Sequence, residues 1–253
     1  MSITTTQDKL LSRQGALSTG ERWRFTVQAT QAKLKMIVGS MGLQKTHAKP
    51  LGRLNLDAIP RVDSAFAKAA VEAMESASSP TLVHHCYRTY IWGWLLKQLD
   101  DNPCDAEVLF VSAMLHDLGL TEQYHGCCEE AECFTWDSVH GARSVLAVTD
   151  PQRANAVSQA ILGHLNIKVP GETCGWEAHY LQAGASLDVT GQRYSDISPG
   201  IRHNVLQQHP RLQLKRELQQ WVDREAQRHP RSRFAAMKTL GFKGVIGAAP
   251  FES

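Results

Sequence analysis

From about residue 62 onward the sequence is a succession of helical stripes separated by short breakers. That pattern constrains the fold more than any other feature, because apolar residues recurring every three or four positions are the mark of a helix with one buried face. Residues 62–77 carry Ala65, Phe66, Ala69, Val71 and Met74, Ser78-Ser79-Pro80 breaks the run, and 81–99 resumes it. Asn102-Pro103 predicts a cap with proline at the first position of a third helix, which runs to Leu118 and stops at Gly119. Further helices are predicted over 137–148, 151–165, 176–187, 199–208, 211–227 and 232–240, with Gly241 as a stop. Strand patterns are scarce, so the expected fold is all-α, with helical extensions at both ends. Upstream, 1–20 is polar, and 21–42 fits an amphipathic helix carrying Trp23, Phe25, Val27, Leu34, Ile37 and Val38. Residues 47–60, with Pro50 and Pro60, form a connector. The expected organisation is an N-terminal arm over 1–60 with one helix, followed by one helical domain over 61–253.

Composition narrows the partners. A net charge of +2 over 253 residues argues against a broad nucleic-acid surface. Eight cations gather towards the C-terminus: Arg202, Arg211, Lys215, Arg216, Arg224, Arg228, Arg231 and Arg233. Glu217, Asp223 and Glu225 are interspersed with them, which predicts a solvated helix face. No run of about 18 apolar residues exists to span a membrane. The opening MSITTTQDKLLSR has no apolar signal core. Six cysteines in a chain of this length read as free thiols, so a cytoplasmic protein is expected. The apolar residues of 21–42 could pack on their own chain or on a second copy, which leaves a homodimer open.

The chemistry centres on AMLHDLGL, where His116 and Asp117 end an apolar helix. An ionised carboxylate there is costly unless paired or coordinated. A helix C-terminus explains a histidine through the dipole, but it disfavours an aspartate. Partners lie on other stripes: His85 with Arg88, Trp92, Leu95 and Leu99; His164 with Ala154, Val157 and Ile161; and Asp188 with Glu177, Leu181 and Gly184. Each of these stripes points a polar, metal-competent group inward, and every buried polar group needs a partner. His84, about 100° around the helix from His85, competes with it for a ligand role. Imidazole nitrogen and carboxylate oxygen suit Zn²⁺, Fe²⁺, Mn²⁺ or Ni²⁺.

The flanking residues carry a resemblance. VHHCYRTYIWG resembles the Asn-His-Ser-x-Arg helix of the cyanamide-hydratase group of the HD superfamily, and LFVSAMLHDLGLT resembles its His-Asp helix. FTWDSVHGARSVL resembles the Phe-Glu…Gly segment that follows, AVSQAILGHL a helix ending in histidine, LQAGASLDVTG the helix of the last ligand, and QQHPR a later Phe-Pro-Arg. The match spans about 78–213 in the family's order. It departs from the family pattern at His84 in place of Asn, at Asp137 in place of Glu, and at His140-Gly141 in place of Gly-Gly.

The resemblance implies an HD-type helical bundle holding one divalent metal, zinc first, through His85, His116, Asp117 and Asp188. It places His164 in the pocket against substrate or water, with Asp117 and Arg88 completing the catalytic set and Arg88 and Asp137 orienting their neighbours. The implied activity is addition of metal-activated water to a nitrile-type carbon, cyanamide to urea. The alternatives are phosphohydrolysis of a nucleotide, di-iron oxygenation using His140 and His164, and a binding module without turnover. The expected partner is a small molecule, with neither nucleic acid nor membrane.

Two weaker signals remain. His125-Gly126-Cys127-Cys128 with Cys133 has the wrong spacing for a zinc knuckle, and predicts a mobile loop at the pocket mouth. His179 and His203 fall off the apolar stripes and are expected at the surface.

Overall fold

The structure is a computed structural model that describes residues 13–40, 54–146 and 150–251. Among them are twelve α-helices and no strand, as the helical period predicts. In chain order they are α1 (Thr19–Ser40), α2 (Ala65–Ala77), α3 (Pro80–Asp100), α4 (Ala106–Leu115), α5 (Phe134–Leu146), α6 (Pro151–Gly163), α7 (Gly171–Cys174), α8 (Trp176–Thr190), α9 (Pro199–Gln208), α10 (Leu214–Arg228), α11 (Arg233–Thr239) and α12 (Phe242–Gly247). None is long and apolar enough to cross a membrane. All six cysteines are free thiols. Residues 1–12, the first half of the 47–60 connector and the end of the predicted 137–148 helix lie outside the described residues, as do the side chains of Ile37 and Val38.

Capping decides most boundaries. Ser64, Ser79, Asp105, Asp150, Ser198 and Ser232 each accept a first-turn amide, and Pro80, Pro151 and Pro199 follow three of these caps. The third helix therefore starts later than Asn102-Pro103 suggests. The carboxylate of Asp105 takes the amides of Glu107 and Val108, and the prediction missed this stronger cap. It also ends earlier than predicted, at Leu115. The Gly119 amide donates to the Ser138 hydroxyl at 2.9 Å instead of to the helix, so the chain turns into a 3₁₀ segment at Leu118–Leu120. Gly119 serves close approach more than termination. A Cβ there would lie 2.2 Å from the Phe134 carbonyl oxygen.

Every residue of α4 from Val108 to Leu115 is buried. A helix that is apolar all round belongs inside a bundle, and α2, α3, α5, α6 and α8 surround it. The closest pair is α3 and α8, which meet backbone to backbone at two glycines. A Cβ on Gly184 would sit 2.2 Å from the Thr89 carbonyl oxygen, and one on Gly93 2.7 Å from that of Tyr180. The helix of the N-terminal arm, α1, docks on α11. Its Phe25 is buried, whereas Trp23 and Leu34 stand exposed.

Candidate metal centre

Two helix ends and one helix middle converge on the candidate site. His116 and Asp117 follow the last turn of α4, His164 follows the last turn of α6, and His85 lies within α3. All four side chains are buried. Both terminal histidines use one device. Nδ1 of His116 donates to the Ala113 carbonyl at 2.8 Å, and Nδ1 of His164 donates to that of Ile161 at 2.6 Å. Each ring thus bonds a last-turn carbonyl three residues back, and that of Ile161 also accepts the His164 amide at 3.4 Å. A carbonyl can only accept, so Nδ1 carries the proton and Nε2 keeps its lone pair. His85 reaches the same state differently, donating from Nδ1 to Asp188 Oδ2 at 2.7 Å.

The three Nε2 atoms face Asp117. Those of His85 and His116 lie 3.5 and 3.3 Å from Oδ2, and that of His164 lies 3.6 Å from Oδ1. Ligands bound tetrahedrally about 2.0–2.2 Å from a zinc-type ion stand about 3.3–3.6 Å apart. The spacing therefore fits one ion, and the buried His85, His116 and Asp117 form a group that could hold it. Burial keeps His116 below the usual histidine range despite Asp117 beside it. Burial, reinforced by the His116 ring, keeps His164 well below that range. Neutral imidazole is the form that ligates.

Asp188, implied as a ligand, is placed elsewhere in this structure. Its Oδ1 accepts from Arg88 Nε at 2.8 Å, Trp92 Nε1 at 3.0 Å and Arg211 Nη1 at 3.1 Å. Its Oδ2 accepts from Arg88 Nη2 at 2.9 Å and from His85. Both oxygens are engaged, and Asp188 stands behind His85 as the acceptor that orients its ring. Burial alone would raise its pKa, but Arg88 and Arg211 together hold the carboxylate well below its usual range.

Arg88, implied in the catalytic set, lies behind Asp188 in this structure, bonded to both of its carboxylate oxygens. Its remaining donors go to the His209 and Pro210 carbonyls at 3.0 and 2.8 Å, and it does not line the cavity. His84 packs edge-on against His209 instead of joining the ligand group, and His140 is exposed. His203 is exposed as predicted, while His179 is half-buried and bonds the Val169 carbonyl.

Two cations read as solvated are buried. Arg211 holds Asp188, and Arg233 bonds the Leu162 carbonyl, Asn166 and Thr135. Default surface placement of arginine hid them. The signal that could have found Arg211 is its place in QQHPR, and none was available for Trp92 beyond its position on the His85 stripe.

Asp137 accepts from the amides of Gly126 and Cys128, and so organises the Cys-containing loop. That loop leans on α10, where Glu225 Oε1 lies 2.7 Å from His125 Nε2. None of its residues lines the cavity, so it is not the pocket mouth.

A cavity of ≈ 160 Å³ opens from His85, His116, Asp117 and His164. Residues of α1, α8, α10, α11 and α12 wall it. Compared with known proteins, the chain matches no family model and no curated protein.

Proposed function

We propose that this chain is a metal-dependent enzyme of the HD type that adds water to an uncharged, nitrile-type carbon, in the manner of a cyanamide hydratase. What carries the reading is the convergence of three imidazole Nε2 lone pairs on Asp117, each ring having already committed its Nδ1 proton elsewhere. Nitrogen donors with one carboxylate suit zinc first, with iron(II), manganese(II) and nickel(II) as the other candidates. The ion supplies Lewis acidity, bringing the ionisation of water towards neutrality.

The chain's own groups do the rest. His85, oriented by Asp188, and His116, oriented by Ala113, hold the ion with Asp117. His164 Nε2, across the other oxygen of Asp117, accepts a proton from water as the oxygen–carbon bond forms and passes it to the nitrogen whose π bond to carbon breaks. A proton shift in the adduct then yields the amide, which is urea when the substrate is cyanamide. Nucleotide phosphohydrolysis is the second reading. It is disfavoured because no lysine or arginine lines the cavity among the described residues, and phosphate chemistry needs convergent cations.

The test is Asp117→Ala with elemental analysis alongside an assay of urea release from cyanamide. Loss of both metal and activity is expected. Unchanged metal content would remove Asp117 from the ligand set. Phosphate release from nucleotides by the native protein would move the assignment to the second reading, and a metal-loaded protein inert on nucleotides, cyanamide and larger nitriles would leave the binding module.

A further inference from the structure

The cavity is larger and more apolar than cyanamide requires. Its floor is the four-residue cluster around Asp117, and its walls include Leu165, Ile167, Val189, Leu218, Phe234 and Met237. No lysine, arginine or glutamate lines it among the described residues. Beyond the floor the polar lining residues are Asn166, Gln182, Ser186, Thr190 and Gln192, and several are already engaged: Gln182 Nε2 donates to Ser186 Oγ at 2.9 Å and Thr190 Oγ1 donates to the Ser186 carbonyl at 2.7 Å. Asn166 has its amide oxygen occupied by Arg233 Nη1 at 3.0 Å. An apolar space of about 150 Å³ is large enough for a benzene-sized molecule. The ≈ 160 Å³ here is of that size. Cyanamide, with no carbon beyond the one that reacts, would leave these walls uncovered.

We infer that the substrate is an uncharged molecule whose reacting carbon bears an apolar group about the size of a benzene ring or a six-carbon chain. The polar head lies on the His85–His116–Asp117–His164 floor, and the apolar group lies against Leu218, Phe234 and Met237. The inference rests on the proposed catalytic reading for the identity of the head group. The apolar group follows from the walls alone.

Binding tests it apart from turnover. Acetamide, butyramide and benzamide are uncharged analogues of the hydration product, and NMR titration gives their affinity for the metal-free and metal-loaded protein. Each methylene moved from water onto these walls is expected to tighten binding about fourfold, so butyramide should exceed acetamide by about fifteenfold, with benzamide at least as tight. Val245→Trp, which narrows the cavity from its half-buried rim, is expected to lower the benzamide-to-acetamide ratio several-fold. In turnover, benzonitrile should exceed cyanamide in kcat/KM.

A flat affinity series in the native protein, or an unchanged ratio in a folded Val245→Trp, would overturn the inference. Turnover of cyanamide alongside a flat series would overturn it and leave the catalytic reading intact. A graded series with no turnover of any nitrile would uphold the ligand class and overturn the catalytic reading.

Discussion

Asp188 answers five donors from four residues, so both of its oxygens are fully engaged beside the His85–His116–Asp117 group. Its removal would act on two quantities. Arg88 and Arg211 would be left as buried guanidinium groups without a counter-ion, and breaking a buried pair from one side costs about 3–5 kcal/mol. His85 would lose the acceptor that fixes its tautomer, a loss that costs about 10–100-fold in metal affinity. Asp188→Asn is therefore expected to show a lower urea midpoint and weaker retention of metal against a chelator. Normal metal affinity in the folded variant would mean that His85 does not depend on this partner. The inward faces of His85 and Asp188 were legible in their stripes, because helical period assigns a side chain to a face. Their relation to each other was not legible. A carboxylate that ligates a metal and one that orients a ligating histidine occupy the same face, and only the positions of Arg88, Trp92 and Arg211 separate the two roles.

Among the elements, α3 and α8 control the site, since one carries His85 and the other Asp188. Their backbones touch at Gly93 and Gly184. Alanine at 184 would improve helix propensity by about 1 kcal/mol. The added methyl, however, would meet the Thr89 carbonyl oxygen at 2.2 Å and Gly93 N at 2.8 Å. These are backbone atoms with no rotamer to yield, so the helices must separate, at about 1–3 kcal/mol. The clash outweighs the propensity gain. Gly184→Ala is expected to lower thermal stability and loosen the His85–Asp188 contact, visible as a His85 Nδ1 proton that exchanges faster by NMR. A variant more stable than the native protein would contradict the packing described. The longer helices were legible from period, and the start of α6 from Asp150-Pro151, whereas the short α7, in a stretch that reads as a loop, and α12, beyond the stop expected at Gly241, were not predicted. The ends of α4 were not legible either, because one is set by competition between neighbouring cap residues and the other by Ser138, which arrives from a distant helix.

At the scale of the whole molecule, Glu225 joins α10 to the loop after the His-Asp helix. It accepts from the Phe134 amide at 3.2 Å and faces His125, His229, Asp137, Arg224 and Arg228. Burial, reinforced by Asp137 and opposed by Phe134 and the two arginines, pushes its pKa up from 4.5 to about 7. Between those values the unfolded chain has released a proton that the folded chain still holds, so this group lowers stability as pH rises through that window. His125 acts oppositely. Burial, Arg228 and Arg224 push it down from 6.5 to about 4, and its contribution rises with pH across that interval. The two slopes oppose each other in the native protein. Glu225→Gln removes one of them, so the variant should gain on the native protein between pH 4.5 and 7, on the order of 1–3 kcal/mol. Urea unfolding at a series of pH values measures the difference, and a pH-independent difference would show that Glu225 is ionised throughout.

The sequence by itself determined the all-α fold and the inward facing of His85, His116, His164 and Asp188, because both follow from helical period and from the cost of burying an unpaired polar group. It also determined the pairing of His116 with Asp117 at a helix end. Tertiary structure alone decided that three Nε2 atoms meet at Asp117, that Asp188 turns towards two arginines, and that α1, α11 and α12 line an apolar cavity beside the cluster. Those facts depend on distances between helices far apart in the chain. The interaction of one stripe with itself specifies a face, and only the packing of several stripes specifies what each face meets.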